Sequence, residues 1–256
     1  RGTRLLLRTP RRFLAANVSK HFMTAIIGYT YRQQEDSIGV LCADDLEINS
    51  QAKADKLTKI SGHFVTAITG LECTDWVIGT LIGYFDQFSG SRIQIETISE
   101  LESLLNEILP IAFKTLKDAK YFDNIEEQKD IKTQLIVLDL FDNKLYFSEL
   151  GKIWKIDEEI NYKIKLNLLE DGLYSFGVVA VHKDFNKEQY DEFDRNKILA
   201  YLKSKIETYR KSFKGYVGNL GSYELNIIGK EKFETFNSCF NSNFELLENI
   251  IRRSKQ

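Results

Sequence analysis

The sequence contains one methionine, Met23, and the residue that follows it is Thr24. If the chain is opened between the two, Thr24 gains a free α-amine beside its own hydroxyl. A hydroxyl and an amine on one residue form a nucleophile and its base, the pairing used for hydrolysis through an acyl-enzyme. Such a residue needs a lysine to supply positive charge, a carboxylate to hold that lysine, and a donor for the oxyanion. While residues 1–23 remain attached, the nitrogen of Thr24 is an amide without basicity, so the chemistry is conditional on their removal. Methionine at position 23 suits aminopeptidase trimming of a natural start rather than self-cleavage of a pro-segment.

Charge marks residues 1–23 off from the rest. Arg1, Arg4, Arg8, Arg11, Arg12 and Lys20 lie there with no acid among them. Without these six, 29 Lys and Arg face 37 Asp and Glu, a net charge of −8. The segment reads as a non-core extension ahead of a single domain at 24–256. It is upstream or added sequence, an organellar transit-like peptide, or a pro-segment awaiting cleavage. An acidic body is a poor general binder of nucleic acid, because phosphate contact needs a basic face.

Within 256 residues, 43% hydrophobic and 12% aromatic content suffices for a sizeable core. No apolar run reaches the roughly 18–20 residues that span a bilayer, so neither a membrane nor nucleic acid is expected as partner. Cys42, Cys73 and Cys239 are odd in number and widely spaced, which points to neither a disulfide framework nor a zinc site and fits a reducing, cytoplasmic setting. His21, His63 and His182 are too scattered for a metal cluster. No cofactor is read from the sequence.

Patterning then supplies the elements that must position Thr24. Residues 24–32 and 37–43, separated by Gln33-Gln34-Glu35-Asp36, predict a β-hairpin. Residues 52–60, a turn at Ser61-Gly62 and a strand at 63–69 follow. Leu71, Trp76, Val77, Thr80, Leu81 and Tyr84 recur at helical spacing. A second helix at 99–117 is expected to open with a Ser99/Glu102 capping box and to kink at Pro110. Strands are read at 134–139, 144–148, 152–156 after a turn at Gly151, and 162–167, then helices at 172–180 and 187–211, a strand at 223–228 and an aromatic helix at 233–251. That order predicts an α+β fold, a four-layer αββα sandwich of two stacked, largely antiparallel sheets flanked by helices.

Thr24, then Ala43-Asp44, then Lys56-Leu57-Thr58-Lys59-Ile60, then Ala67-Ile68-Thr69-Gly70 resemble, in order, the N-terminal half of a proteasome-type β subunit. That group of N-terminal nucleophile hydrolases includes the bacterial heat-shock peptidase and the smaller bacterial proteasome homologues. Thr24 to Lys56 is 32 positions and Lys56 to Gly70 is 14, as the family pattern has them. The resemblance implies a threonine peptidase in which Thr24 is the nucleophile, Lys56 supplies charge, Asp44 holds Lys56, and the N–H of Gly70 receives the oxyanion. It makes Ser175, in Tyr174-Ser175-Phe176-Gly177, the candidate helper in proton transfer. The family's later Asp-x-x-Ser-Gly falls near Tyr216-Val217-Gly218-Asn219-Leu220-Gly221, which has neither the aspartate nor the serine. Further implications are a peptide or unfolded-protein substrate, a homo-oligomeric ring or related assembly, and an ATP-dependent unfoldase as partner. A non-catalytic subunit of the same fold and a small-amide hydrolase are the rival expectations.

Overall fold

The structure, a computed structural model, describes residues 24–45, 56–60, 62–69, 95–118, 133–151, 163–177, 185–215, 217–229 and 232–238. Ile, Val, Tyr and Thr dominate the first strands, which suits a pleated, half-buried surface. β1 (Ala25–Gln33) and β2 (Asp36–Asp44) form the expected hairpin, in register from Ile26↔Ala43 to Gln33↔Asp36. β8 (Gly172–Gly177), β9 (Asn186–Glu188), β10 (Leu220–Gly229) and β11 (Lys232–Ser238) complete a six-stranded sheet in the order β11-β10-β2-β1-β8-β9. β3 (Leu57–Ile60), β4 (Phe64–Thr69), β5 (Thr133–Asp139), β6 (Lys144–Gly151) and β7 (Asn167–Leu168) make a second sheet in that order. Every strand pairing among the described residues is antiparallel.

Alternation along the strands separates two cores. Ile26, Leu41 and Ala43 of the first sheet meet Val65, Ala67, Ile136, Leu138 and Leu145 of the second. The next residues along, Ile27, Tyr29, Val40 and Cys42, face the opposite way and pack on Ile198, Leu202 and Ile206 of helix α2 (Arg195–Ser212). Fully burying each of these three helix side chains contributes about 1.5–3 kcal/mol before entropy is counted. Gly28 lets the sheets close up at the centre, since a Cβ there would stand 2.6 Å from Leu145.

Helix α1 (Ile98–Asp118) runs on through Pro110, and its capping box lies two residues upstream of the expected one. The Glu100 carboxylate accepts from the N–H groups of Glu96 and Thr97, and Thr97 Oγ1 accepts from Glu100 N–H. Glu102, the acid first read as the cap, accepts from Leu166 N–H, while Asn106 exchanges two hydrogen bonds with the backbone of Ile164. Helix α2 starts at Arg195 rather than 187, because the Asp194 side chain accepts from Lys197 N–H and so caps it there.

The αββα expectation is not met. The described residues are mostly β, with two antiparallel sheets and two helices rather than four layers. Residues 172–177, read as the start of a helix, are the buried strand β8 beside β1. A strand buried on both faces loses its alternation and looks helical by hydrophobicity alone. Residues 233–238, read as the start of an aromatic helix, belong to β11 and pair with β10 as an edge strand. The helix read between Leu71 and Tyr84, the strand read at 152–156 and the remainder of the 233–251 segment lie outside the described residues. No helix among the described residues is long and apolar enough to cross a membrane.

At one end the two sheets are joined by side-chain amides. Asn143 Nδ2 donates to the carbonyl and hydroxyl of Ser37 on β2, and Asn226 Nδ2 on β10 donates to Leu140 O and Asn143 Oδ1. Thr235 Oγ1 donates to Asn226 Oδ1. The same β5–β6 turn rests on Asp139, whose Oδ1 accepts from the N–H groups of Phe141 and Asp142.

Burial pushes the Asp139 carboxyl above the ordinary aspartate range, against the two N–H groups and Lys144 that pull it down. The folded state therefore binds this proton more tightly than the unfolded chain does. Its contribution to stability is complete below about pH 3.9 and is lost as pH rises through the folded-state value. Asp139→Asn keeps an accepting oxygen without the charge. Thermal melts should find it equal to the parent near pH 4 and more stable at neutral pH. A variant less stable than the parent at neutral pH would contradict this account.

Candidate active site

The other end of the sandwich collects polar groups from both sheets. Thr24 immediately precedes β1, Asp44 ends β2 and Lys56 immediately precedes β3. Lys56 Nζ lies 3.2 Å from Thr24 Oγ1 and 2.9 Å from Asp44 Oδ1, donating to both. The Asp44 carboxylate is fully buried and the Lys56 side chain is 11% exposed, so the ion pair is largely out of water. Asp44 Oδ1 also accepts from Ala25 N–H at 3.0 Å, and Oδ2 accepts from Gly218 N–H at 2.9 Å. One carboxylate thus ties the chain beside Thr24, the lysine and the segment ahead of β10.

That segment closes on the next residue as well. Asp45 and Asn219 exchange hydrogen bonds, Asp45 N–H to Asn219 O at 2.9 Å and Asn219 N–H to Asp45 Oδ1 at 2.7 Å. Gly221 lies so near that a Cβ would stand 2.7 Å from Asp45 Cβ. The sequence lacks an aspartate and a serine here, and the segment contributes backbone N–H groups instead. Backbone donors leave no residue-type signal. Gly221 is the trace the segment leaves, marking its close approach to Asp45.

Thr24, Asp44 and Lys56 are brought together. Gly70 lies outside the described residues, although Thr69 before it is described and buried. Ser175 is fully buried and its Oγ shares a hydrogen bond of 2.8 Å with Tyr209 OH on α2. Its register partner is Ile27, which faces α2. Ser175 therefore lies on the helix side of the sheet, while Ile26, two residues after Thr24, faces the opposite sheet. The sequence places Ser175 at a turn entering a helix, whereas it lies inside β8, and strand parity decides which way it faces.

Cys42, the thiol nearest along the chain, is fully buried on the α2 side. Burial pushes its pKa to about 12, so it is not a competing nucleophile at neutral pH. Gly177 closes the site from β8. Its φ is +79°, and a Cβ there would stand 1.9 Å from the Thr24 carbonyl oxygen, so only glycine fits.

The assembled groups can do one thing well. A hydroxyl facing an ammonium, itself held by a buried carboxylate, is stabilised as it loses its proton.

No family model and no curated protein matches this chain. Among solved structures, a Gly-1 mutant of Anbu from Hyphomicrobium sp. strain MC1 is similar, with a TM-score of 0.47 and 9% identity over 91% of this chain and 94% of that chain. A likeness of that size leaves the chemistry to be argued from this chain's own side chains.

Asp44→Ala would strand the Lys56 ammonium and the Gly218 N–H. Breaking a buried pair by removing one partner costs about 3–5 kcal/mol, a fall in Tm on the order of 10 °C. Asp44→Asn keeps an acceptor and should lose less, about 1–3 kcal/mol. Urea and thermal unfolding measure both, and an Asp44→Ala chain as stable as the parent would contradict the buried-pair assignment.

Proposed function

We propose that this chain is a threonine-type peptidase subunit of a proteasome-like oligomeric assembly, with Thr24 as its N-terminal nucleophile once the bond to Met23 is broken. The observation that carries the reading is the Lys56 ammonium held by Asp44 at 2.9 Å and pointing at Thr24 Oγ1 at 3.2 Å.

In the freed chain the Thr24 α-amine takes the proton of its own hydroxyl, with a typical α-amine pKa of about 7.7–8.0. Oγ1 then attacks the peptide carbonyl carbon. Lys56 stabilises the oxygen as its proton leaves, and Asp44 keeps the ammonium in place without leaving net charge uncompensated. In this reading the N–H of Gly70 receives the carbonyl oxygen as it becomes negative. Such a donor contributes on the order of 3 kcal/mol. Collapse breaks the C–N bond, and the departing amine takes the proton held by the α-ammonium. Water, deprotonated by the same amine, then attacks the ester and releases the acid.

A second reading, a non-catalytic subunit of the same assembly, is favoured by one specific arrangement. Ser175 is turned to α2, and the 217–221 segment offers the site N–H groups rather than a serine or aspartate.

The test is a chain made to begin at Thr24 by cleavage of a leader, treated with a threonine-directed electrophile and weighed intact. One adduct is expected on Thr24 of the freed chain, and none on the chain that retains residues 1–23 or on Thr24→Ala. Lys56→Ala should lower peptide hydrolysis on the order of 100-fold or more. Absence of any adduct on the freed chain would overturn the peptidase reading and leave the non-catalytic one.

A further inference from the structure

The inter-sheet face of β5 is apolar at Ile136 and Leu138, yet the position that continues it toward the site is Gln134, 3% exposed. A buried carboxamide is costly unless its hydrogen bonds are made, and breaks in an otherwise consistent pattern tend to fall at functional positions. Gln134 Oε1 accepts from Thr69 Oγ1, its cross-strand neighbour at the end of β4, at 3.2 Å. The same oxygen accepts from the N–H of Gly177 at 3.4 Å. Gly177 belongs to the other sheet, pairs with Ala25, and is the residue against which the Thr24 carbonyl rests. One side-chain oxygen therefore spans the two sheets beside the proposed nucleophile.

We propose that Gln134 is a positioning residue for the Thr24 site, its carboxamide oxygen setting the distance between the Thr24–Gly177 edge of one sheet and the end of β4 in the other. The proposal rests on the threonine-nucleophile reading. Gln134 does not touch the reacting atoms. It acts through Gly177, whose tight contact with the Thr24 carbonyl passes a shift of one strand end to the other. Displacement of a reacting group by about 1 Å can cost on the order of 100-fold in rate. Methionine at 134 would fill nearly the same volume and remove the acceptor. Glutamate would keep accepting oxygens for both donors.

The experiment has two arms. In the full chain, NMR follows amide exchange at Gly177 and the Thr24 side-chain resonances in the parent, Gln134→Met and Gln134→Glu. In the chain freed at Thr24, the rate of acylation by the electrophile and the kcat and KM for a peptide are measured for the same three proteins. Expected for Gln134→Met are exchange at Gly177 faster by tenfold or more, shifted Thr24 resonances, and acylation and kcat lower by about 10- to 100-fold, with KM within about twofold. Gln134→Glu should restore the Gly177 protection and most of the acylation rate, which a purely volume-filling role would not require. Unchanged Gly177 exchange and Thr24 resonances in Gln134→Met overturn the proposal whether or not Thr24 reacts. So does an altered Gly177 signal with an unchanged acylation rate. A freed parent chain that never acylates removes the reaction Gln134 would serve. A Gly177 amide that still responds then identifies the threonine reading as the part that failed.

Discussion

Everything at the chemical end of this molecule hangs on the carboxylate of Asp44. It accepts from Ala25 N–H, Lys56 Nζ and Gly218 N–H, and so fixes the start of β1, the start of β3 and the approach to β10 at once. A buried charge tolerates such a setting only if its oxygens are satisfied. The three donors are therefore a condition of folding as much as of chemistry. Lys56, drawn in by the same charge, has its ammonium left where it can also reach Thr24. The site geometry is in this sense what remains after burial of one aspartate has been balanced.

The sheets bring these residues together without any of them being close in sequence. Asp44 lies 19 residues from Ala25 and 174 from Gly218 along the chain. The β1–β2 hairpin carries the first of these separations, and pairing of β10 with β2 carries the second. The Lys56 contact crosses from one sheet to the other, which requires close sheet packing. Glycine at position 28 opposite Leu145 provides that at the centre.

The parts of this arrangement that were legible in the sequence are those expressed in side-chain type and period. The β1–β2 hairpin, the run of β5 and the body of helix α2 all follow from patterning. Thr24, Asp44 and Lys56 could be picked out because their order and spacing resemble a known catalytic set. What escaped is what patterning does not encode. Residues 172–177 are buried on both faces, so their alternation is erased. Thr97 and Ser99 each stand three residues before a glutamate, and only the use of Glu102 to hold Leu166 decides between the two caps. Ser175, expected in a turn entering a helix, lies within β8, where strand pairing turns it to the helix side. The Gly218 and Asn219 donors are backbone groups, and Gln134 is a lone polar residue whose meaning appears only with its partners in place.

The amide cluster of Asn143 and Asn226 sits at the end of the sandwich opposite to Thr24, and it is uncharged. Strand register is secured there by amides, beside the Asp139 carboxylate and the Asp142–Lys144 pair of the same turn, while the Asp44–Lys56 pair sits at the other pole. A one-residue slip would turn every inward side chain outward, and the amide cluster guards against it without using Thr24, Asp44 or Lys56. The two poles are not equally free to change, because loss of Lys56 would strand the buried Asp44 carboxylate. A descendant that replaces the threonine alone keeps that pair and inherits the shell with it, ready to receive a different chemistry at the same mouth.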